Sequence, residues 1–123
     1  MASSTKILGQ QGESAVARWL ESHGFTILAR NYTIKEGEVD LIAQYKEIIA
    51  FIEVKTRMTE YFSPAEAVTY SKQRKIIKAA KHFALKHKLF DHVLRFDVAT
   101  VVYYDLAQNK YSIGYIKDAF RAN

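Results

Sequence analysis

Two residues capable of chemistry interrupt a segment whose hydrophobic pattern predicts a buried strand. Residues Ile48–Thr56 (IIAFIEVKT) are rich in isoleucine, phenylalanine and valine, as strands covered on both faces are. Glu53 and Lys55 lie within this segment, and because they are two positions apart on a strand they point to the same face. The pair is either part of a functional site or a solvated ion pair on a half-exposed strand.

A second carboxylate falls opposite Glu53 if the preceding strand, predicted for Glu38–Tyr45, folds back through a two-residue turn. Such a turn at Lys46-Glu47 brings Asp40 directly across from Glu53. Directly opposed side chains have Cβ atoms roughly 4.5–5.5 Å apart, so like charges there repel. Two carboxylates this close in an apolar sheet require a cation or a shared proton.

The same register places Glu38 across from Lys55, so one face carries four charged groups: Glu38, Asp40, Glu53 and Lys55. The turn sequence Lys-Glu lacks the Asn-Gly or Asp-Gly that is typical of two-residue hairpins. A three-residue loop would reverse the facing of one strand and separate these groups.

A third carboxylate lies on the first helix, predicted for Ser4–His23 and ended by Gly24. Glu13 precedes Val16 by three positions and Leu20 by seven, so it lies within or beside the buried stripe. A carboxylate that faces the core is costly unless it is paired or bound to metal. The alternative is an edge residue whose carboxylate reaches water.

A second helix, predicted for Lys72–Lys88, carries seven basic residues and no acidic residue. Its apolar arc consists of Ile76, Ile77, Ala80, Phe83 and Ala84, and the opposite arc of Lys72, Arg74, Lys75, Lys78, Lys81, Lys86 and Lys88. Solvated helix faces usually mix charges of both signs, so this arc favours a surface that contacts phosphates. Gln73 projects into the apolar arc, either as a cap-like residue or as a polar group aimed at the site.

Other segments complete an α/β pattern. The predictions are a first strand at Phe25–Arg30 followed by a polar turn region, a loop at Arg57–Ser63 with exposed aromatic residues, a helix start at Ser63–Glu66, a fourth strand at Leu94–Tyr104, an edge strand at Tyr111–Ile116 and a helical turn at Asp118–Arg121. Because a helix separates the third and fourth strands, they are expected to be parallel. Asp97 is interpreted as structural, paired with a neighbouring basic group such as Arg95.

Composition limits the class of protein. The 123 residues, 49% of them hydrophobic, fit one domain with a single core and a flexible tail at residues 1–4. The absence of cysteine excludes disulfides, thiolate metal sites and cysteine nucleophiles. No apolar run predicts a membrane span or a signal peptide, so a cytoplasmic protein is expected. The net charge of +5 favours a polyanionic partner.

Six blocks of this sequence, in order, resemble the YraN family, which is similar to Holliday junction resolvases within the PD-(D/E)XK nuclease superfamily. The blocks are QGE at 11–13, ILARNY at 27–32, GEVDLIA at 37–43, FIEVKTR at 51–57, KQRK at 72–75 and RFDV at 95–98. The resemblance extends from about residue 6 to Phe120. Val39 departs from it, because the superfamily motif has proline at that position.

The resemblance implies a restriction-endonuclease-like αβββαβ core, with a mixed central sheet flanked by helices. It implies that Asp40, Glu53 and Lys55 are the motif residues, that Glu13 is the helix-borne acid and that Gln73 is an accessory polar residue.

The activity implied is a metal-dependent endonuclease acting on DNA, including branched or junction DNA. Asp40, Glu53 and Glu13 would bind Mg²⁺ or Mn²⁺. The residues expected to contact nucleic acid are Arg57, Lys72, Arg74, Lys75 and Lys78. A homodimer would suit two symmetric incisions. The alternative is a nucleic-acid-binding adaptor on the same fold that does not cut.

Overall fold

Seven helices and strands form in residues 4–59 and 68–122, the part of the chain that this computed structural model describes. They are α1 (Ser4–Ser22), β1 (Thr26–Ile34), β2 (Gly37–Tyr45), β3 (Ile48–Met58), α2 (Tyr70–Lys86), β4 (Val93–Asp105) and β5 (Lys110–Phe120). None of the helices within these residues is long and apolar enough to cross a membrane. The predicted aromatic loop residues Tyr61 and Phe62 and the helix start at Ser63–Glu66 lie outside the described residues.

The five strands form one mixed sheet in the order β1-β2-β3-β4-β5. β3 and β4 are parallel, with α2 between them in the chain, and the other neighbours are antiparallel. This confirms the predicted parallel crossover and the mixed αβββαβ core, to which β5 adds one edge strand. The arrangement follows from chain length, because a parallel pair needs a crossover long enough to hold a helix.

α1 covers one face of the sheet. Its apolar stripe packs on the strand residues of that face, and the buried cluster includes Ala15, Val16, Leu20, Leu41, Ala43, Ala50, Ile52, Ala99, Val101 and Tyr103. The predicted stripe is therefore confirmed. A fully buried leucine such as Leu20 contributes about 1.5–3 kcal/mol through the area that it removes from water.

α2 covers the opposite face. The second buried cluster includes Val39, Ile42, Ile49, Phe51, Ile76, Ala79, Ala80, Phe83 and Phe96. Successive residues of β3 therefore alternate between the two clusters, as the period of two in a strand requires. The helix starts two residues earlier than predicted because the Thr69 hydroxyl caps it, accepting a hydrogen bond from the Lys72 backbone N–H at 3.2 Å.

Three predicted boundaries were wrong. β1 continues through the expected turn region to Ile34, and β3 continues through Arg57 to Met58 instead of starting a loop at Arg57. β5 runs to Phe120, so the predicted helical turn at Asp118–Arg121 does not form. In each case pairing with the neighbouring strand outweighs local preference, as where Thr33 and Ile34 pair with the start of β2.

Asp97 is the structural residue that the sequence predicted. It is fully buried on β4, and Arg95 Nε donates to its Oδ1 at 3.0 Å. Tyr115 Oη donates to Oδ2 at 2.6 Å and the Asp118 backbone N–H to Oδ1 at 2.9 Å. One carboxylate thus joins β4 to the far end of β5.

Candidate active site

The hairpin of β2 and β3 has the predicted two-residue turn. Tyr45 pairs with Ile48, and the ladder runs in the same register to Leu41 and Ile52. One step further, the Val54 backbone N–H donates to Asp40 Oδ2 at 2.8 Å. The Asp40 carboxylate thus accepts a hydrogen bond from the backbone of β3, so its side chain reaches towards that strand. The predicted pair of Glu38 and Lys55 lies beyond the ladder that forms.

Glu53 lies beside Asp40, as the register predicted. Burial raises the pKa of Glu53 to about 8, and the charge of Asp40 and a hydrogen bond to its carboxylate add to the effect. The positive charges of Lys72 and Lys55 act in the opposite direction. When no cation is bound, this crowding therefore favours a proton on Glu53, in line with one of the two solutions expected for opposed carboxylates.

Lys72 reaches the carboxylates of Glu53 and Glu38. Its Nζ lies 3.6 Å from Glu53 Oε2 and 4.0 Å from Glu38 Oε1. The Lys72 side chain thus turns to the site, whereas the sequence placed it on the solvent-facing basic arc. Gly37 explains how the helix comes so near: a Cβ there would collide with the backbone carbonyl of Lys75, so only glycine permits this contact.

Glu13 approaches the site from the other face of the sheet. Burial and the charge of Asp40 raise its pKa, while a hydrogen bond with the Asn31 side chain lowers it. Its Oε1 is buried and has no hydrogen-bond partner within the described residues. Gly12 lets α1 approach β3, because a Cβ at that position would overlap the Thr56 side chain. Glu13 is thus a half-buried acid near Asp40, with one carboxylate oxygen left unsatisfied.

Of the remaining predicted residues, Lys55 lies near Glu53, and Gln73 and Arg57 contact backbone carbonyls. Lys55 is half-buried on β3, two positions from Glu53, and is close enough for its charge to act on that carboxylate. Gln73 Nε2 donates to the Val68 carbonyl at 3.0 Å, which is the cap-like alternative predicted for it. Arg57 Nη1 donates to the Thr56 carbonyl at 2.8 Å.

Three of the expected nucleic-acid contacts are exposed on α2: Arg74, Lys75 and Lys78. Arg74 lies over the ring of Tyr70, with its guanidinium carbon 5.8 Å from the ring centroid. These side chains can reach a phosphate backbone without moving the core.

The donor set suits a divalent cation. Asp40 and Glu53 supply carboxylate oxygens, the ligands that Mg²⁺ and Mn²⁺ prefer, and Mg²⁺ typically takes one or two carboxylates together with water and phosphate. The buried Oε1 of Glu13, an acid close enough to feel the charge of Asp40, has no partner among the described residues and is available to an electropositive group. Within residues 4–59 and 68–122, no three acidic or histidine side chains converge on one metal position. The residues fit an ion held mainly by two carboxylates.

Sequence reasoning missed the contact between Lys72 and Glu53. The parallel crossover offered a signal, because a helix that follows a strand starts near the carboxyl end of that strand, where polar groups of α/β sheets gather. The helical periodicity shows only that Lys72 lies off the apolar arc of α2. It does not show which strand residues face the start of the helix.

Comparisons with known proteins cover almost the whole chain. Residues 12–101 match the model of the family described as uncharacterised protein family UPF0102, a span that includes Glu13, Asp40, Glu53 and Lys55. A UPF0102 protein of Clostridium perfringens (strain SM101) is 44% identical over 117 residues, covering 94% of this chain and 95% of the relative. UPF0102 proteins of Clostridium tetani and Chlorobium phaeobacteroides are 41% and 40% identical, covering 98% and 99% of this chain and 99% of each relative.

Proposed function

We propose that this chain, which belongs to the UPF0102 family, is a metal-dependent endonuclease that hydrolyses phosphodiester bonds in DNA, branched or junction DNA included. The observation that carries the proposal is the pair of crowded carboxylates, Asp40 and Glu53, at the end of the hairpin ladder with Lys55 beside them. Burying two carboxylates side by side costs free energy, and a bound cation would neutralise them. Such a pair therefore favours a functional metal site.

Asp40 and Glu53 would hold the Mg²⁺ or Mn²⁺ ion, and Glu13 would complete the site directly or through water. When bound, the ion supplies Lewis-acid polarisation of the phosphodiester and a lower pKa for the attacking water. Asp40 keeps its orientation through the Val54 N–H, so one ligand is preorganised by the backbone.

Lys55 would act on the reacting groups themselves. Its ammonium can orient the attacking water or stabilise the charge that develops on the phosphorus-bound oxygens. It lies on the same strand as Glu53, so the distance between ligand and lysine is fixed by strand geometry and not by a loop.

The exposed basic residues of α2 would hold the nucleic-acid backbone. Phosphate contacts position a substrate but do not specify a sequence, which fits a nuclease that selects DNA by its structure. Arg57, at the carboxyl end of β3, lies two residues beyond Lys55 and would contact the strand near the reacting phosphate.

The test is cleavage of linear, flapped and four-way-junction DNA in Mg²⁺ or Mn²⁺. Wild type is compared with Glu53→Ala and Lys55→Ala, and with Glu47→Ala and Lys46→Ala in the exposed hairpin turn as matched controls. We expect Glu53→Ala to abolish cutting and Lys55→Ala to slow it by about 10²–10⁴-fold. Cutting that survives Glu53→Ala would trace to a contaminant and refute the proposal.

A second candidate is a nucleic-acid-binding adaptor that does not cut. The observations in its favour are that Lys72 already lies 3.6 Å from Glu53 and that no three potential ligands converge within the described residues. The same assay separates the two functions, because an adaptor binds branched DNA without producing fragments in either metal.

A further inference from the structure

Lys72 occupies a position that a metal ion would contest. Its ammonium lies 3.6 Å from Glu53 Oε2, and only 12% of the Glu53 side chain is exposed. The Lys72 side chain itself is 38% exposed, so it is partly open to solvent. An ion held by Glu53 would bring a second positive charge against this ammonium, and the two cations repel.

A cleft lies next to the same side chain. It has a volume of about 280 Å³ and lies between the β1–β2 hairpin and the start of α2. Its polar lining includes Thr33, Lys35, Glu36, Glu38, Lys72 and Lys75. Lys72 thus lines the cleft and lies between Glu53 of the candidate site and Glu38, which also lines the cleft.

The charge of this cleft depends on where Lys72 is directed. Lys35 and Lys75 are balanced by Glu36 and Glu38, so the cleft attracts an anion only weakly while Lys72 is held by Glu53. Released from Glu53, Lys72 adds one positive charge and gives the cleft a net attraction for phosphate.

We propose that Lys72 is an internal counter-ion that metal binding releases from Glu53, so that it binds a backbone phosphate of the nucleic acid in the cleft together with Lys35 and Lys75. This inference rests on the proposed function, because it assigns a second phosphate site beside the reacting one. It makes metal and nucleic acid bind cooperatively: each favours the Lys72 orientation that the other needs. Without metal, the carboxylates stay neutralised and the cleft stays weak.

The first measurement is calorimetric titration of Mn²⁺ into the nucleic-acid-free protein. Lys72→Met should bind Mn²⁺ about twofold to fivefold more tightly than wild type, the range for loss of a partly exposed competing ion pair. Lys75→Met is the matched control, because Lys75 lines the same cleft but forms no ion pair among the described residues. Lys72→Gln repeats the test with a polar side chain. Unchanged or weaker Mn²⁺ binding in both Lys72 variants would overturn the inference.

The second measurement is binding of a fluorescein-labelled DNA duplex with and without Mn²⁺. All proteins carry Lys55→Ala, which slows turnover and leaves the carboxylates in place. Mn²⁺ should raise DNA affinity when Lys72 is present and raise it clearly less in Lys72→Met. Lys78→Met, on the exposed face of α2 outside the cleft, should weaken binding by the same factor with and without metal. If Mn²⁺ raises DNA affinity by the same factor with Lys72 intact and with Lys72→Met, the inference is overturned.

The outcomes separate this inference from the proposed function. If wild type cuts DNA but Lys72→Met shows the same metal affinity and the same gain from Mn²⁺, only the role of Lys72 fails. If wild type neither binds nor cuts DNA in either metal, the proposed function fails and the phosphate site fails with it.

Discussion

The backbone N–H of Val54 donates a hydrogen bond to Asp40 Oδ2 at 2.8 Å, one step beyond the last paired residues of the hairpin. A side chain thus replaces a neighbouring strand as the acceptor for a backbone donor. The carboxylate gains a fixed orientation, and β3 keeps its N–H satisfied where the ladder ends. Structure and proposed chemistry depend on the same oxygen, and substitutions can separate them.

Asp40→Asn and Asp40→Ala should differ in stability but agree in activity. Asparagine retains an oxygen that accepts from Val54, so the free energy of unfolding should change little. Alanine leaves the N–H unsatisfied and should cost about 1–2 kcal/mol. Both changes should abolish metal-dependent cutting. Urea unfolding measures the first effect, and equal destabilisation by the two variants would show that the hydrogen bond contributes nothing.

Glu53 should make the metal-free protein less stable as the pH rises. Its pKa is about 8 in the folded protein, against an ordinary value of 4.5. Between these values the folded protein holds a proton that the unfolded chain has released, so the free energy of unfolding falls as pH rises from about 5 to 8. The fall attributable to Glu53 should be roughly 4 kcal/mol, since each step of one in pH across this range contributes about 1.4 kcal/mol.

Urea unfolding in EDTA across this pH range measures the effect. Glu53→Gln should flatten the slope, whereas Glu47→Gln in the exposed turn should leave it unchanged. A slope that is identical in wild type and Glu53→Gln would contradict the raised pKa of Glu53.

Glu13→Gln should raise the stability of the metal-free protein and lower its metal affinity. The change removes a half-buried charge near Asp40, so the metal-free protein should become more stable. Metal affinity should fall by roughly 10–100-fold, as for loss of a supporting ligand. Calorimetric titration of Mn²⁺ and thermal unfolding measure the two effects, with Glu21→Gln on the exposed side of the same helix as the control. Unchanged metal affinity would exclude Glu13 from the site.

Asp97 should matter for folding and not for the site. Asp97→Asn leaves the Arg95 guanidinium without its buried partner and should cost about 3–5 kcal/mol. Tyr115→Phe removes one hydrogen bond to the same carboxylate and should cost about 1–2 kcal/mol. Mn²⁺ affinity of the folded protein should stay at the wild-type value in Tyr115→Phe. A loss of metal affinity there would link this network to the site.

Lys75→Glu combined with Lys78→Glu should weaken DNA binding and flatten its salt dependence. For duplex DNA, the slope of log affinity against log salt becomes shallower by about 0.9 for each phosphate that the protein no longer neutralises. The control is Lys110→Glu with Lys117→Glu on β5, which changes net charge equally away from α2. Fluorescence anisotropy over a salt series measures both. Equal effects of the two pairs would assign binding to net charge alone.

The hairpin at the centre of the site could be predicted from the sequence. Its facing follows from the period of two in a strand, and its register from a turn that leaves room for only two residues. This was sufficient to place Asp40 beside Glu53 and to identify the basic helix and the parallel crossover. The pairing of Arg95 with Asp97 was also predictable, because a buried acid on a strand requires a basic partner.

Strand lengths could not be predicted in the same way. The sequence of Thr33 and Ile34 is compatible with a turn or a strand, and the adjacent residues of β2 decide the outcome by offering hydrogen bonds. The end of β5 is similar, since Phe120 pairs with Phe96 across the sheet. The residues at the end of a strand carry no local sequence pattern that reveals which distant segment will pair with them.

The sequence by itself thus determined which carboxylates meet, because their meeting depends on local periodicity and one tight turn. Only the tertiary structure decided which side chains of α2 contact these carboxylates. Lys72 reaches Glu53 because Gly37 lets the start of α2 contact β2, and Gln73 instead bonds to the Val68 carbonyl. These contacts depend on how closely a helix approaches a sheet, a distance set by packing across the whole interface and by no single stretch of sequence.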